Sequence, residues 1–258
     1  MCALFRFTKP RPSFAEPTQA PPLELKDAQL AAASYGQREG GDLHDYIRVS
    51  HERVLFALLD VAGKRDQNRD IVSAAQDALR SSGAQLLSDD DVNEAEAMIE
   101  VCVQMNRAII KAAGRVCACP TFAGCYNETL GTVCYVNAGH TPGLLRDEGG
   151  VSELRATGLP LGLFSHSAAD ASIAALRPGA ALLVVSRGTV EAERKGKEFG
   201  LEAVKDLLLS TPGQNAQEIC ATLMGKVQVF LAKKPAQDDV TVLALARSAA
   251  MKAFAASG

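Results

Sequence analysis

The sequence predicts an α/β (α+β) chain folded as a four-layer α-β-β-α sandwich, and three features of its hydrophobic pattern predict it. Strand-like runs come as hairpins and not as strands joined by crossover helices. Helical stripes come in consecutive pairs. The chain then closes on a run rich in β-branched residues, Asp239 to Ala246. Hairpin-rich sheets inside and helix pairs outside give the four layers, and a doubly wound parallel fold is disfavoured.

The elements follow in order. Residues 1–25 hold Pro10, Pro12, Pro17, Pro21 and Pro22, too dense for a regular element, and read as a flexible arm or one lying over the domain. The domain is expected over 26–248, with a small-residue tail over 249–258. Leu23 to Tyr35 begins extended and leads to Gly40-Gly41. Tyr46 to Ser50 and Val54 to Val61 form a hairpin through His51-Glu52-Arg53. Asn68 to Leu87 carries a helical stripe in Ile71, Ala74, Ala75, Ala78 and Leu79. Asp91 to Ala113 carries another in Ala95, Met98, Ile99, Cys102, Met105 and Ile109, so the two pair over one side of a sheet. Thr121 to Glu128 with Thr132 to Ala138 is a second hairpin. Gly143 to Leu145 with Val151 to Leu154 is a third, its tip at Glu148-Gly149-Gly150. Ala171 to Leu176 and Ala181 to Val185 flank the turn Arg177-Pro178-Gly179, and helices over Leu201 to Leu209 and Asn215 to Leu231 precede the last strand.

Composition narrows the function classes. A chain of 258 residues with 47% apolar content buries about 70–75% of its unfolded surface, enough for one sizeable core. The net charge is −3. Its densest basic stretches, Arg194, Lys195 and Lys197, then Lys226, Lys233 and Lys234, read as solvated faces. With no tryptophan and 4 tyrosines to stack on bases, a nucleic-acid partner is not expected. No run of apolar residues is long enough to span a membrane, and the N-terminus lacks the apolar core of a signal peptide. The 7 cysteines sit in apolar runs and fit reduced core thiols, hence a cytoplasmic protein. Cys117-Ala118-Cys119 with Cys125 lacks a second close pair or a suitably spaced histidine to complete a soft-metal site.

Carboxylates stand at strand ends in three places: Asp42 after Gly40-Gly41, with Asp45 beyond; Asp60 after an apolar run; and Asp238-Asp239 opening the last strand. A strand ending in aspartate beside a turn holds its carboxylate rigidly at the edge of a core. Gly41 permits a close backbone approach or a positive φ. Carboxylates with backbone carbonyls suit magnesium or manganese, and two such ions clamp a phosphoryl group and activate a water. Aspartate is also common in turns and at helix starts, and Asp66 or Asp70 needs no other reading. The sequence alone does not bring the three places together.

A family resemblance does. GGDLHDY at 40–46, LLDVAGK at 58–64, TFAGCYNETLGTVCYVNAGHTPGLL at 121–145, TGLPLGL at 157–163, LRPGAALLVVSRG at 176–188, EFG at 198–200 and DDVTVLAL at 238–245 occur in order over residues 40–245. Together they resemble the SpoIIE and RsbU group of the metal-dependent (protein phosphatase 2C, PPM) superfamily. The resemblance implies a serine/threonine phosphatase using one or two Mn2+ or Mg2+ ions on a phosphorylated protein, such as an anti-sigma-factor antagonist. It implies that Asp42 holds one metal, that Asp60 bridges both, and that the Val61 carbonyl adds to the shell. Asp238 is the ligand of the last strand, with Asp239 its neighbour and a weaker candidate. Gly63 shapes the turn, and His140 of the NAGH motif lies near the metal shell without entering it.

The chain departs from the family at Ser186-Arg187-Gly188, where the pattern is Thr-Asp-Gly and the aspartate is a ligand. Arg187 places a permanent cation there, able to pair with Asp60 and Asp238 and to repel a divalent ion. The alternative is that Arg187 faces solvent or contacts a substrate phosphate, while Asp66 or Asp70 helps elsewhere. Lys64-Arg65 adds positive charge where the family continues with glycine. Two functions follow as expectations: a phosphatase with a reduced metal site, or a catalytically impaired pseudophosphatase that binds a partner protein. No sensor domain is expected ahead of this one, so regulation is expected from a separate partner or from the arm.

Overall fold

The computed structural model describes residues 18–19, 21–36, 41–61, 65–165, 169–211, 213, 215–232 and 236–249, with the side chains of 18–19 and 65–67 left out. In chain order the elements are β1 (Thr18–Gln19), β2 (Leu23–Glu24), β3 (Ala28–Tyr35), β4 (Leu43–Arg48), β5 (Arg53–Leu59), α1 (Arg65–Leu86) and α2 (Glu94–Ala113). There follow β6 (Thr121–Asn127), β7 (Thr132–Ala138), β8 (Gly143–Asp147), β9 (Gly150–Leu154), β10 (Ser172–Ala175), β11 (Ala181–Val185) and α3 (Arg187–Val190). The chain ends with β12 (Glu193–Arg194), β13 (Lys197–Glu198), α4 (Leu201–Leu209), α5 (Ala216–Phe230) and β14 (Val240–Arg247).

Two antiparallel sheets stack face to face. One runs β1-β3-β14-β11-β8-β9, with β2 also on β3; the other runs β10-β7-β6-β5-β4. The period-two alternation of side chains explains why the strands are apolar on both faces. Along β5, Leu55, Ala57 and Leu59 point to a core under α1 and α2, while Val54, Phe56 and Leu58 point to a core between the sheets. Along β14, Val240, Val242 and Ala244 face α4 and α5, and Leu243 and Leu245 face the other sheet. Three cores separate four layers, as the hairpin and helix-pair pattern predicts.

Differences from the sequence reading are local. The segment expected as an arm supplies Thr18–Gln19, paired to Ser34 and Ala33, and Leu23–Glu24, paired to Leu30 and Gln29. The sheet therefore starts before residue 26, because backbone pairing to the edge of β3 needs no apolar periodicity. The first hairpin sits earlier than Tyr46 to Ser50 with Val54 to Val61: Leu43 pairs with Leu59 and Arg48 with Val54. The α3 turn and the β12–β13 hairpin carry no apolar pattern and are legible only in space.

Candidate functional site

The antiparallel order brings one end of several strands to a common pole. Asp42 precedes β4, Asp60 follows β5, Arg187 follows β11, and Asp238-Asp239 precede β14. Hydrogen bonds fix the last three places. Asp60 N donates to Pro120 O at 2.9 Å, which ties the end of β5 to the start of β6. Ser186 N donates to Thr241 O at 2.9 Å, and Thr241 N returns a bond to Ser186 Oγ at 2.9 Å. Ser186 Oγ donates to Asp239 O at 3.0 Å, and Asp239 N donates to Asp238 Oδ1 at 2.9 Å. Gly188 makes this approach possible: a Cβ there would lie 2.2 Å from Asp239 O. Any side chain would push α3 off the start of β14.

Arg187 stands among three carboxylates. Its Nε is 3.7 Å from Asp60 Oδ2 and 3.8 Å from Glu191 Oε2, and its Nη2 is 3.6 Å from Asp238 Oδ2. Burial raises the Asp60 pKa above the ordinary carboxylate value. The Arg187 guanidinium opposes that shift, and Asp238, Glu191 and Asp239 add to it. Asp42 is raised well above its ordinary value by burial first and by Asp60 next, with nearby hydroxyls of Thr241 and Ser186 acting the other way. Four aspartates and Glu191 therefore share one field with one guanidinium in it.

Do these residues fit two divalent ions? Among the described residues, no three His, Cys, Asp or Glu side chains are placed to hold one ion. Arg187 lies within ion-pair distance of both Asp60 and Asp238. The Val61 carbonyl accepts from the buried Asn68 Nδ2 at 3.1 Å, and Gly41 crowds it so closely that a Cβ would lie 2.7 Å away. These residues do not fit a two-ion centre. Asp42 keeps one feature of a cation ligand, a buried Oδ2 without a hydrogen-bond partner.

The remaining expectations fall as follows. Asp45 is turned away from the pole and paired with Arg80, Nε to Oδ2 at 2.6 Å. Asp70 is exposed on α1. Gly63 and Lys64, and the side chains of Arg65 and Asp66, lie outside what the structure describes. His140 is buried in the turn after β7, its N–H donating to Asn137 Oδ1 at 2.8 Å and its Nδ1 lying 3.1 Å from Thr141 O. Burial pushes its pKa down to about 4. Thr141 Oγ1 donates to Val185 O, which joins this turn to the end of β11, two residues before Arg187. Glu191 and Asn68 escaped the sequence reading. Glu191 stands four residues after Arg187, at the C-terminal cap of a helix too short to show in the sequence pattern.

A family model described as Stage II sporulation protein E (SpoIIE) matches residues 50–248. No curated protein matches the chain. Among solved structures, it is similar to the RsbU and RsbW domains of a Mycobacterium tuberculosis protein, at TM-score 0.67 and 22% identity, over 86% of this chain and 62% of that one. It is similar to the SiaA PP2C domain of Pseudomonas aeruginosa at TM-score 0.65 and 16% identity, over 81% of each chain. The phosphatase domain with a regulatory fragment of SpoIIE from Bacillus subtilis gives TM-score 0.69 at 16% identity, over 85% of this chain and 63% of that one. The chain thus spans less than two thirds of the first of these structures. At such identities the likeness is one of fold, and the fold is the four-layer PPM sandwich.

Proposed function

The chain belongs to the SpoIIE family, within the PPM-type phosphatases, and from that premise we propose that it is a catalytically impaired member acting as a protein-binding regulatory module. One observation carries the reading: the Arg187 guanidinium stands 3.6–3.8 Å from Asp60, Asp238 and Glu191, where the family pattern has a metal-ligand aspartate. A guanidinium stays charged at any physiological pH and supplies the positive charge that the acids require. Its charge repels a divalent ion, and the guanidinium already stands where that ion would meet Asp60 and Asp238. The partner is a regulatory protein of the anti-sigma-factor antagonist kind, in the cytoplasm. No helix among the described residues is long and apolar enough to cross a membrane.

A second reading rests on the orphaned Asp42 Oδ2, which favours a reduced site for a single Mn2+ or Mg2+ ion and slow phosphoserine or phosphothreonine hydrolysis. One experiment separates the two. Manganese titration by calorimetry is run on the wild type and on Arg187→Asp, alongside hydrolysis of an aryl phosphate and of a phosphoserine protein. The module reading expects no saturable manganese binding and no turnover in the wild type, with both rising in Arg187→Asp. Manganese-dependent hydrolysis of the phosphoprotein by the wild type would overturn it.

A further inference from the structure

Cys117 and Cys119 lie outside the charged pole but adjoin it. Their sulfurs are 3.8 Å apart in the stretch between α2 and β6, and both residues are buried. A disulfide needs an S–S length of about 2.05 Å and a Cα separation of roughly 4.4–6.8 Å. Residues two apart along a chain are held within about 7 Å. Closing the pair therefore asks for side-chain rotation and a small backbone shift.

The stretch that carries them is weakly held at its start. Helix α2 ends at Gly114 in the left-handed region, Val116 is 72% exposed, and Cys117 N reaches Gly162 O at 3.4 Å. A segment with a long bond and exposed neighbours opens locally more easily than a strand. Cys125 and Cys134 differ, since they face each other within the paired strands β6 and β7. The far end of the stretch is bound tightly to the pole. Cys119 N donates to Leu161 O at 2.8 Å and Cys119 O accepts from Leu161 N at 3.1 Å. Pro120 O, one residue on, accepts from Asp60 N at 2.9 Å.

We propose that Cys117 and Cys119 form a redox-modifiable dithiol whose closure to a disulfide displaces Pro120 and loosens its hold on Asp60. The oxidant is a low-molecular-weight disulfide. The Cys117 thiolate attacks one of its sulfurs, breaking that S–S bond, forming a mixed disulfide and expelling one thiolate, which takes up a proton. The Cys119 thiolate then attacks the Cys117 sulfur and expels the second thiolate. Two protein thiols are oxidised and one small disulfide is reduced to two thiols. Cys117 is the entry point because it keeps 8% exposure against 0% for Cys119. Burial raises the Cys119 pKa, so its thiolate is disfavoured until the segment opens. The bond stands independently of the proposed function; only its effect on the Asp60–Arg187 pair rests on that reading.

The test uses the full chain with oxidised glutathione. Intact-mass measurement is expected to show a transient glutathione adduct, then loss of two hydrogens, mapped by peptide digestion to Cys117 and Cys119. Cys117→Ser abolishes both signals, and Cys134→Ser leaves both in place. Amide exchange at Asp60 is expected to quicken about five- to tenfold on oxidation, the worth of one hydrogen bond. Unreacted thiols, an adduct that never closes, or a bond mapped to Cys125 and Cys134 would overturn the dithiol. A closed disulfide with unchanged Asp60 exchange would overturn its link to the pole, without touching the proposed function.

Discussion

Arg53 and Arg187 both face carboxylates, and the fold holds them in opposite ways. Arg53 Nε donates to Glu94 Oε1 at 2.7 Å, Nη1 to Asp89 O at 2.8 Å and Nη2 to Asp90 O at 2.9 Å. Glu94 Oε1 also accepts from Asn127 Nδ2 at 2.7 Å, and the two charged side chains are 5% and 11% exposed. That knot pins the α1–α2 connection to the β5–β6 edge. Arg187 has three carboxylates at 3.6–3.8 Å, beyond hydrogen-bond distance, and its side chain is 49% exposed. Nearby, Asp42 Oδ2 and His140 Nε2 are buried without partners. A group kept for stability has its hydrogen bonds made; the Arg187 guanidinium makes none to its carboxylates. The difference separates a structural ion pair from a site that holds charge in reserve.

The largest expected effect comes from breaking the knot. Arg53→Met leaves Glu94 buried and unpaired, and is expected to lower stability by about 3–5 kcal/mol in urea unfolding. Adding Glu94→Leu should recover part of that loss, since the stranded charge goes too. A loss below about 1 kcal/mol would show that the knot is not structural, and the comparison would fail at its firmer end.

The next effect tests the unsatisfied side through His140. Its folded pKa lies at about 4 against roughly 6.5 in an unfolded chain. Between those values the unfolded state binds the proton and the folded state does not. The stability is therefore whole above about pH 6.5 and is lost as pH falls toward 4, by up to about 3 kcal/mol. His140→Gln does not titrate and should flatten that part of the profile. Urea midpoints of the two proteins at about pH 7 and about pH 4.5 check it. Parallel pH profiles would mean that His140 is protonated in the fold.

These contrasts bear on what the sequence made legible. The layers were readable because apolar periodicity is local: VLFALL over 54–59 needs both faces covered wherever it lies. The pole was readable residue by residue only through a resemblance, since no periodicity says that Asp42, Asp60 and Asp238 share an end. Arg187 stood out as a departure from a pattern, but its partner Glu191 did not, because a four-residue helix has no stripe to announce it. In sequence Asn68 opens a helical stripe, whereas in space its amide covers the Val61 carbonyl from seven residues away. Contacts of that kind depend on where a loop returns.

The smallest expected effect is the most discriminating. Arg187→Met removes a cation that makes no hydrogen bond to its acids and is half exposed, so solvent already screens much of its attraction. The change in stability is expected to stay below about 1 kcal/mol and to shrink as salt rises, as suits charges held apart by solvent. Glu191→Gln in that background should move stability the other way, because one of the crowded carboxylates is gone. Were Arg187→Met to cost as much as Arg53→Met, the guanidinium would be a structural pair like the other. The pole would then be a second knot and not a site with charge to spare.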